Sequence, residues 1–280
     1  MTGSWIDARL PPWQPGLSDR LRLAWRGSLL LAVVLGGFVL FVPLRAVEAV
    51  GLTRVRRPAR PLTGRIAQAV CRLALRILNL RPSRKGQPQS APGAFVANHS
   101  GWLDVFVLNA ALRVTFVAKA EVAGWPGIGV LARATGTLFI TRKGTEARRQ
   151  QAQLARRLSA GDALLFFPEG TSTDALRVLP FKSTLFAAFF DPALQEPPRV
   201  QPVTVVYHAP PGCDPRHYGW WGDMTFAGHL ARLLATPGAG RVEVIFHPAL
   251  AIADHADRKA LALRCEAAVR SAHPGGQITD

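Results

Sequence analysis

AFVANHSGWLDVFVL, residues 94–108, opens on an apolar β-rich run and passes through Asn98, His99 and a Ser-Gly pair into a second apolar stretch. A short apolar run that stops at turn residues reads as a buried strand, and the longer segment 103–112 reads as a helix. The same alternation continues outward. β-rich runs recur at 114–119 (VTFVAK), 137–141 (TLFIT), 163–167 (ALLFF), 200–207 (VQPVTVVY) and 242–246 (VEVIF). Helix-like segments lie between them at 126–134, 144–159, 183–190, 224–235 and 254–271. This order predicts an α/β fold: a mixed, largely buried sheet flanked by helices, occupying residues 81–280.

Residues 1–80 differ in character and are predicted to be membrane-associating helices. The stretch from Leu21 to Leu44 is strongly apolar, but its unbroken part, 29–43, is shorter than the roughly 20 residues of a simple span. A cleaved signal peptide, a single span and an interfacial helix all fit, with Arg26 free to snorkel. Arginines flank both ends: Arg20, Arg22 and Arg26 before, Arg45, Arg54, Arg56, Arg57 and Arg60 after. Lys and Arg prefer the cytoplasmic side, so both ends are expected on one face. Residues 61–80 read as a helix with Arg65, Arg72 and Arg76 on one stripe, suited to an anionic membrane surface or to packing on the domain. The Pro- and Ser-rich stretch 81–93 reads as a linker.

The chain has 280 residues, a formal net charge of +16 and 49% hydrophobic residues. Such a charge implies an anionic partner: nucleic acid, a membrane face or a phosphorylated substrate. The three cysteines, Cys71, Cys213 and Cys265, are scattered, which leaves no disulfide framework or CxxC metal site. His208, Cys213 and His217 sit in one stretch but lack a clear fourth ligand, so no metal is expected. No G-x-S-x-G elbow is present, which counts against a serine hydrolase.

Four places carry candidate chemistry. His99 stands at the C-terminal end of the first strand, with Asp104 in the first turn of the following helix. That spacing lets the carboxylate fold back onto Nδ1–H, leaving Nε2 to take a proton from a substrate hydroxyl. A capping Asp with a structural His is the plain alternative. GTLFITRKG (136–144) delivers Arg142 to a strand's C-terminal end, where its planar fork could grip an anion. ALLFFPEGTST (163–173) ends a strand in Glu169, Gly170 and Thr171, followed by Lys182 in LPFKST. VQPVTVVY carries Pro202, which implies an edge strand or a bulge. Taken singly, each of these also reads as an ordinary loop, turn or surface residue.

Together and in this order they resemble the PlsC-type glycerolipid acyltransferases, the 1-acylglycerol-3-phosphate acyltransferase family. That family's signature is N-H-x4-D, then a G-x-[IVL]-F-[IV]-x-R block, then F-P-E-G-T, then a Val-Pro-type strand. Here these are Asn98-His99…Asp104, Gly136…Arg142, Phe167-Pro168-Glu169-Gly170-Thr171 and Gln201-Pro202-Val203. The resemblance implies an O-acyltransferase at the cytoplasmic face of the inner membrane, with acyl-CoA or acyl-carrier protein as donor and no cofactor. His99 is implied as base, Asp104 as its orienter and Arg142 as the grip on the acceptor's anionic head. Glu169, Gly170, Thr171 and Lys182 are placed at the acceptor, and the strand around Pro202 at the acyl donor. The first-choice acceptor is 1-acylglycerol-3-phosphate, giving phosphatidate. Members with that acceptor often read FPEGTRS, whereas Ser172 follows Thr171 here. The wording FPEGTS…LPFKS and YGWWGDMTF (218–226) is similar to a bacterial subgroup that includes lyso-ornithine lipid acyltransferases, which makes that lipid the second reading. A non-catalytic basic protein binding membrane or nucleic acid is the third; the absence of a nucleic-acid motif disfavours a nucleic-acid partner.

Overall fold

The computed structural model describes residues 5–51, 62–90, 93–125, 127–141, 146–192, 194 and 198–276. A short 3-10 turn (Trp5–Asp7) leads into a 35-residue helix, α1 (Leu17–Gly51), with Pro43 inside it. The helix runs past both ends of the apolar run because the flanking Leu, Ala, Arg and Glu residues are good helix formers. Its segment Leu17–Glu48 is, among the described residues, the one helix long and apolar enough to cross a membrane. Only 6% of its most apolar window is buried, and Trp25, Leu31, Leu35, Val39 and Leu40 are exposed. Arg26 does not snorkel. Its guanidinium donates to the carbonyls of Leu234 and Thr236, and Arg22 donates to that of Ala235. Both arginines therefore satisfy carbonyls left open at the C-terminal end of a later helix. Arg54, Arg56, Arg57 and Arg60 lie outside the described residues.

Helix α2 (Thr63–Ile77) starts without a side-chain cap of its own. Glu48 of α1 supplies one: Oε1 accepts the Leu62 and Thr63 amides and Oε2 accepts the Thr63 hydroxyl. Arg65, Arg72 and Arg76 all lie on its exposed side, and Arg72 Nε donates to Ala110 O at 3.0 Å. The opposite side buries Cys71, Ala74 and Leu75, so α2 belongs to the main core although it falls within residues 1–80.

The stretch expected as a linker contains a strand, β1 (Leu80–Lys85), paired parallel with a much later strand. Only Leu80 is buried in it. An edge strand can contribute its backbone alone, so its polar side chains concealed it. The remaining elements are β2 (Gly93–Ala97), α3 (Leu103–Ala111), β3 (Thr115–Lys119), α4 (Ile128–Ala134), β4 (Leu138–Ile140), α5 (Ala147–Ser159), β5 (Leu164–Phe166), β6 (Arg199–His208), α6 (Phe226–Ala235), β7 (Gly240–Phe246), β8 (Leu250–Ala251) and α7 (Arg258–Ala272). The helix expected at 183–190 is a 3-10 segment, Leu185–Phe190.

The strands form one mixed sheet in the order β1-β7-β6-β2-β5-β3-β4, with β8 also pairing β6. From β6 to β4 every pairing is parallel, and β7 runs antiparallel to β6. The C-terminal ends of β6, β2, β5, β3 and β4 therefore share one edge, where α/β proteins gather their ligands. Alternation splits the interior into two cores. Phe95, Ala97, Val203 and Val205 pack under α2, α3 and α6. Ala94, Val96, Leu164 and Phe166 pack under α5 and α7.

Pro202 is not on an edge strand; the other sequence reading, a bulge, fits, since the three steps from Val200 to Val203 stand opposite four from Leu250 to Phe246. It sits in β6, paired with Val96 of β2. On its other side it faces the gap between β8, which pairs Arg199 and Val200, and β7, which starts pairing at Val203. Val205 sends its amide toward β2, to the Asn98 side chain, so by alternation the amide that Pro202 lacks would have pointed into that gap. No ladder bond is lost there.

Candidate active site

The central strand β2 ends at Ala97, and the chain is pinned immediately after it. Asn98 acts as a surrogate strand residue: Nδ2 donates to Val205 O at 2.9 Å and Oδ1 accepts the Val205 amide at 2.8 Å. His99 follows, at the parallel edge of the sheet. Its amide donates to Glu169 Oε1 at 2.7 Å, and its carbonyl accepts the amide and hydroxyl of Thr173 at 2.9 and 3.2 Å. Its ring stacks on Phe167, centroids 4.0 Å apart and planes 14° from parallel.

His99 Nδ1 lies 2.7 Å from Asp104 Oδ2. The same oxygen accepts the amides of Ser100 at 2.7 Å and Gly101 at 3.0 Å, and Oδ1 accepts the Tyr207 hydroxyl at 2.7 Å. Asp104 has no solvent exposure, and the His99 side chain keeps 21%. Burying a carboxyl costs least where donors replace water, and these donors do so. Nδ1 must carry the proton it gives to Asp104, so Nε2 is the lone-pair nitrogen. The arrangement can accept a proton at Nε2 and hold the resulting imidazolium. Tyr207, at the end of β6, has its phenol pushed well above its ordinary range, by burial first and then by Asp104. It therefore acts as a neutral donor. Sequence reading placed Tyr207 in a strand but gave it no role; the available signal was that a buried Tyr hydroxyl needs a partner.

Glu169 is buried and not open at the mouth of the sheet. It is 1% exposed, and its second oxygen accepts the Leu179 amide at 2.8 Å. Both oxygens are thus engaged with backbone, and the residue locks the turn after β5 to His99. Burial pushes its carboxyl up to about 8, against the two backbone donors that favour the charge. Gly170 closes this turn at φ +71°, a conformation that strains any residue with a Cβ, its amide reaching Phe167 O at 3.1 Å. Thr171 is exposed. Lys182 is exposed too, and its amide donates to Pro168 O, which ties its backbone to the same turn. Arg142 lies outside the described residues. So the structure gathers His99, Asp104, Glu169, Gly170, Thr171 and Lys182 around two adjacent strand ends, while Pro202 lies one strand over in β6.

His208, Cys213 and His217 go separate ways. His208 Nε2 meets Glu243 at 2.9 Å. His217 is buried, its ring against Tyr218. Among the described residues no group of three or more His, Cys, Asp or Glu could hold a metal ion. Trp102, at the start of α3, donates Nε1–H to His229 Nδ1 at 3.0 Å, while His229 Nε2 lies 3.1 Å from His217 O. An indole N–H only donates, so Nδ1 accepts and the His229 proton sits on Nε2.

A sheet edge carrying a histidine–aspartate pair with an open ring nitrogen is the layout of a group-transfer enzyme that activates a hydroxyl. Residues 80–206 match the family model described as Acyltransferase. The lyso-ornithine lipid O-acyltransferase of Rhodobacter capsulatus is 52% identical over 272 residues, 95% of this chain and 96% of that protein. A protein of the same name from Brucella abortus is 38% identical over 71% of this chain and 78% of its own length. The crystal structure of the 1-acyl-sn-glycerophosphate acyltransferase PlsC from Thermotoga maritima superposes with a TM-score of 0.63, covering 93% of this chain and 98% of that one at 18% identity, a likeness of fold. The chain belongs to the PlsC-type acyltransferase family, and it is an acyltransferase. The sequence reading ranked 1-acylglycerol-3-phosphate first as acceptor; the names of these two relatives fit its second reading better.

Proposed function

We propose that this enzyme transfers a fatty acyl group from acyl-CoA or acyl-carrier protein to the hydroxyl of lyso-ornithine lipid, at the cytoplasmic face of the inner membrane. The observation that carries the chemistry is the 2.7 Å contact between His99 Nδ1 and Asp104 Oδ2. The acceptor hydroxyl gives its proton to His99 Nε2 as its oxygen attacks the thioester carbonyl carbon. The tetrahedral species then breaks its carbon–sulfur bond, and the imidazolium returns the proton to the departing thiolate. Asp104 keeps the tautomer and steadies the positive ring throughout. No enzyme nucleophile is required. Arg142 and Lys182 are the cations proposed to meet the carboxylate of the ornithine head.

Two features support the acceptor. The relative that matches almost the whole chain is named for that lipid, and Ser172 stands where an arginine follows FPEGT in the pattern associated with a phosphate head. The exposed apolar residues of α1 and the arginine stripe of α2 supply the membrane contact. The test offers purified protein both lyso-ornithine lipid and lysophosphatidate, each with acyl-CoA and with acyl-carrier protein. Selective acylation of lyso-ornithine lipid is expected. Transfer to lysophosphatidate alone would replace the acceptor, and transfer to neither would remove the proposal.

A further inference from the structure

Among the described residues, two buried polar atoms at the loop after His99 have no hydrogen-bond partner: Ser100 Oγ and Trp220 Nε1. The two residues are joined, since the Trp220 amide donates to Ser100 O at 2.8 Å. Their contact depends on Gly101: a Cβ there would fall 2.8 Å from the Cβ of Trp220. The indole of Trp220 packs edge-on against Trp125, centroids 5.7 Å apart. Trp125 follows the 3-10 turn Ala120–Gly124 after β3. Trp220 therefore connects the His99 loop at the end of β2 to the loop after β3, across the edge where β5 also ends.

Two further tryptophans nearby, Trp102 and Trp221, behave differently. Trp102 gives its N–H to His229 and Trp221 gives its N–H to Ala8 O. Burying an indole N–H unmatched costs stability, and such atoms in native folds call for an explanation. The indole nitrogen only donates, so its missing partner is an acceptor. Both substrates of acyl transfer carry one: the thioester carbonyl of the donor and the carbonyl linkage of the acceptor lipid.

We infer that Trp220 Nε1 donates a hydrogen bond to a carbonyl oxygen of a bound substrate beside His99. This rests on the acyl-transfer reading of His99. If the oxygen is that of the thioester, the bond strengthens as negative charge builds on it during attack, and its loss lowers turnover. If it belongs to the acceptor, the bond positions the hydroxyl, and its loss raises the acceptor KM.

The test is Trp220→Phe, which keeps an aromatic ring and deletes the donor. Expected are an unchanged or raised melting temperature and a fall in kcat/KM of about tenfold to hundredfold, the size of one lost hydrogen bond in a dry site. Thioester hydrolysis without acceptor separates the sources. A parallel fall there assigns the donor carbonyl, and a rise confined to acceptor KM assigns the lipid. A lower melting temperature with unchanged kcat/KM would mean an internal partner such as a trapped water, and would overturn the inference. Should the variant not fold, the wild-type indole proton is followed by NMR. A ketone analogue of the acyl donor, with CH2 in place of sulfur, and then the lysolipid are added. A downfield shift with either is expected, and no shift with both overturns the assignment. A wild type that acylates no lysolipid would defeat the acyl-transfer reading instead, and the shift would still report binding.

Discussion

The Tyr207 hydroxyl donates to Asp104 Oδ1 at 2.7 Å, on the side of the carboxylate away from His99. Asp104 thus holds His99 with one oxygen and is itself held by β6 with the other. Tyr207→Phe deletes that donor and leaves a buried carboxylate oxygen unmatched, at a cost of roughly 1–3 kcal/mol. Part of this appears as stability and part as a weaker, less oriented imidazole. Expected are a kcat reduced about tenfold and a nearly unchanged KM for both substrates, measured by steady-state transfer. An unchanged kcat would mean that the amides of Ser100 and Gly101 suffice to orient Asp104.

His99→Ala removes the base, and turnover should fall by about a thousandfold or more, near the upper end for a single general base. Asp104→Asn is the sharper variant. Its amide would present N–H to groups that are already donors, among them the amides of Ser100 and Gly101. The ring would lose its fixed tautomer, and a similar fall is expected. Vesicle binding should persist in both, because neither residue contributes exposed apolar area. Turnover within about tenfold of wild type in His99→Ala would remove His99 from the proton transfer.

Much of this was readable because the elements that carry the chemistry are buried. β2 and β5 are continuous apolar runs, and β6 is rich in valine and buried from Val200 to Tyr207, which leaves them little freedom in how they fold. His99 and Asp104 are close in sequence, so their contact follows from a strand end and one helical turn. What stayed hidden depends on distant pairing. Past Leu80, β1 shows only exposed and mostly polar side chains, because there it lends the sheet its backbone alone. Glu169 looked like a ligand group because a carboxylate after a strand usually meets solvent. Nothing local to FPEGT reveals that the amides of His99 and Leu179 would claim both its oxygens. Pro202 suggested an edge strand or a bulge, and the register between β8 and β7 fits the second.

Glu169 separates two roles by kinetics. A residue gripping the acceptor would change KM, but one that locks His99 to the turn after β5 should change kcat. Glu169→Ala would leave the amides of His99 and Leu179 without their acceptors, so kcat and melting temperature should both fall, with little change in acceptor KM. The pH dependence has a definite sign. Burial pushes the folded carboxyl up to about 8 from its ordinary 4.5. The folded state therefore holds this proton more tightly, and the stability it contributes is full below about pH 4.5 and lost as pH rises through 8. The melting-temperature difference between wild type and Glu169→Ala should shrink over that window as pH increases.

His217 and His229 work in the opposite sense. Burial, the larger cause in each, lowers both to about 4 from 6.5. The unfolded chain takes up these protons near pH 6.5 while the folded one resists until about 4, so their contribution is present above 6.5 and lost as pH falls. Protonating His229 would also place a second N–H against the Trp102 donor. Expected is a stability that declines from pH 6.5 toward 4, with a shallower slope in His229→Leu, measured by denaturant titration. An identical slope would show that His229 does not titrate on unfolding.

The outward residues of α1 make a prediction about where the enzyme works. Leu31, Leu35, Val39 and Leu40 are each more than half exposed, on a helix whose polar anchors face inward. Arg22 and Arg26 hold the end of α6, and Glu48 caps α2. The helix is thus fixed to the catalytic body with an apolar face left for lipid. Burying such area contributes about 25 cal/mol per Å², which salt does not screen, unlike attraction to the arginines of α2. Replacing Leu35 and Val39 together by Asp should weaken binding to anionic vesicles at any ionic strength, and should spare turnover on acceptor dispersed below its micellar concentration. Vesicle binding by the wild type that vanishes at about 1 M salt would show instead that attachment is electrostatic, since charges separated by more than about 3 Å are then screened. The apolar face of α1 would in that case need another explanation.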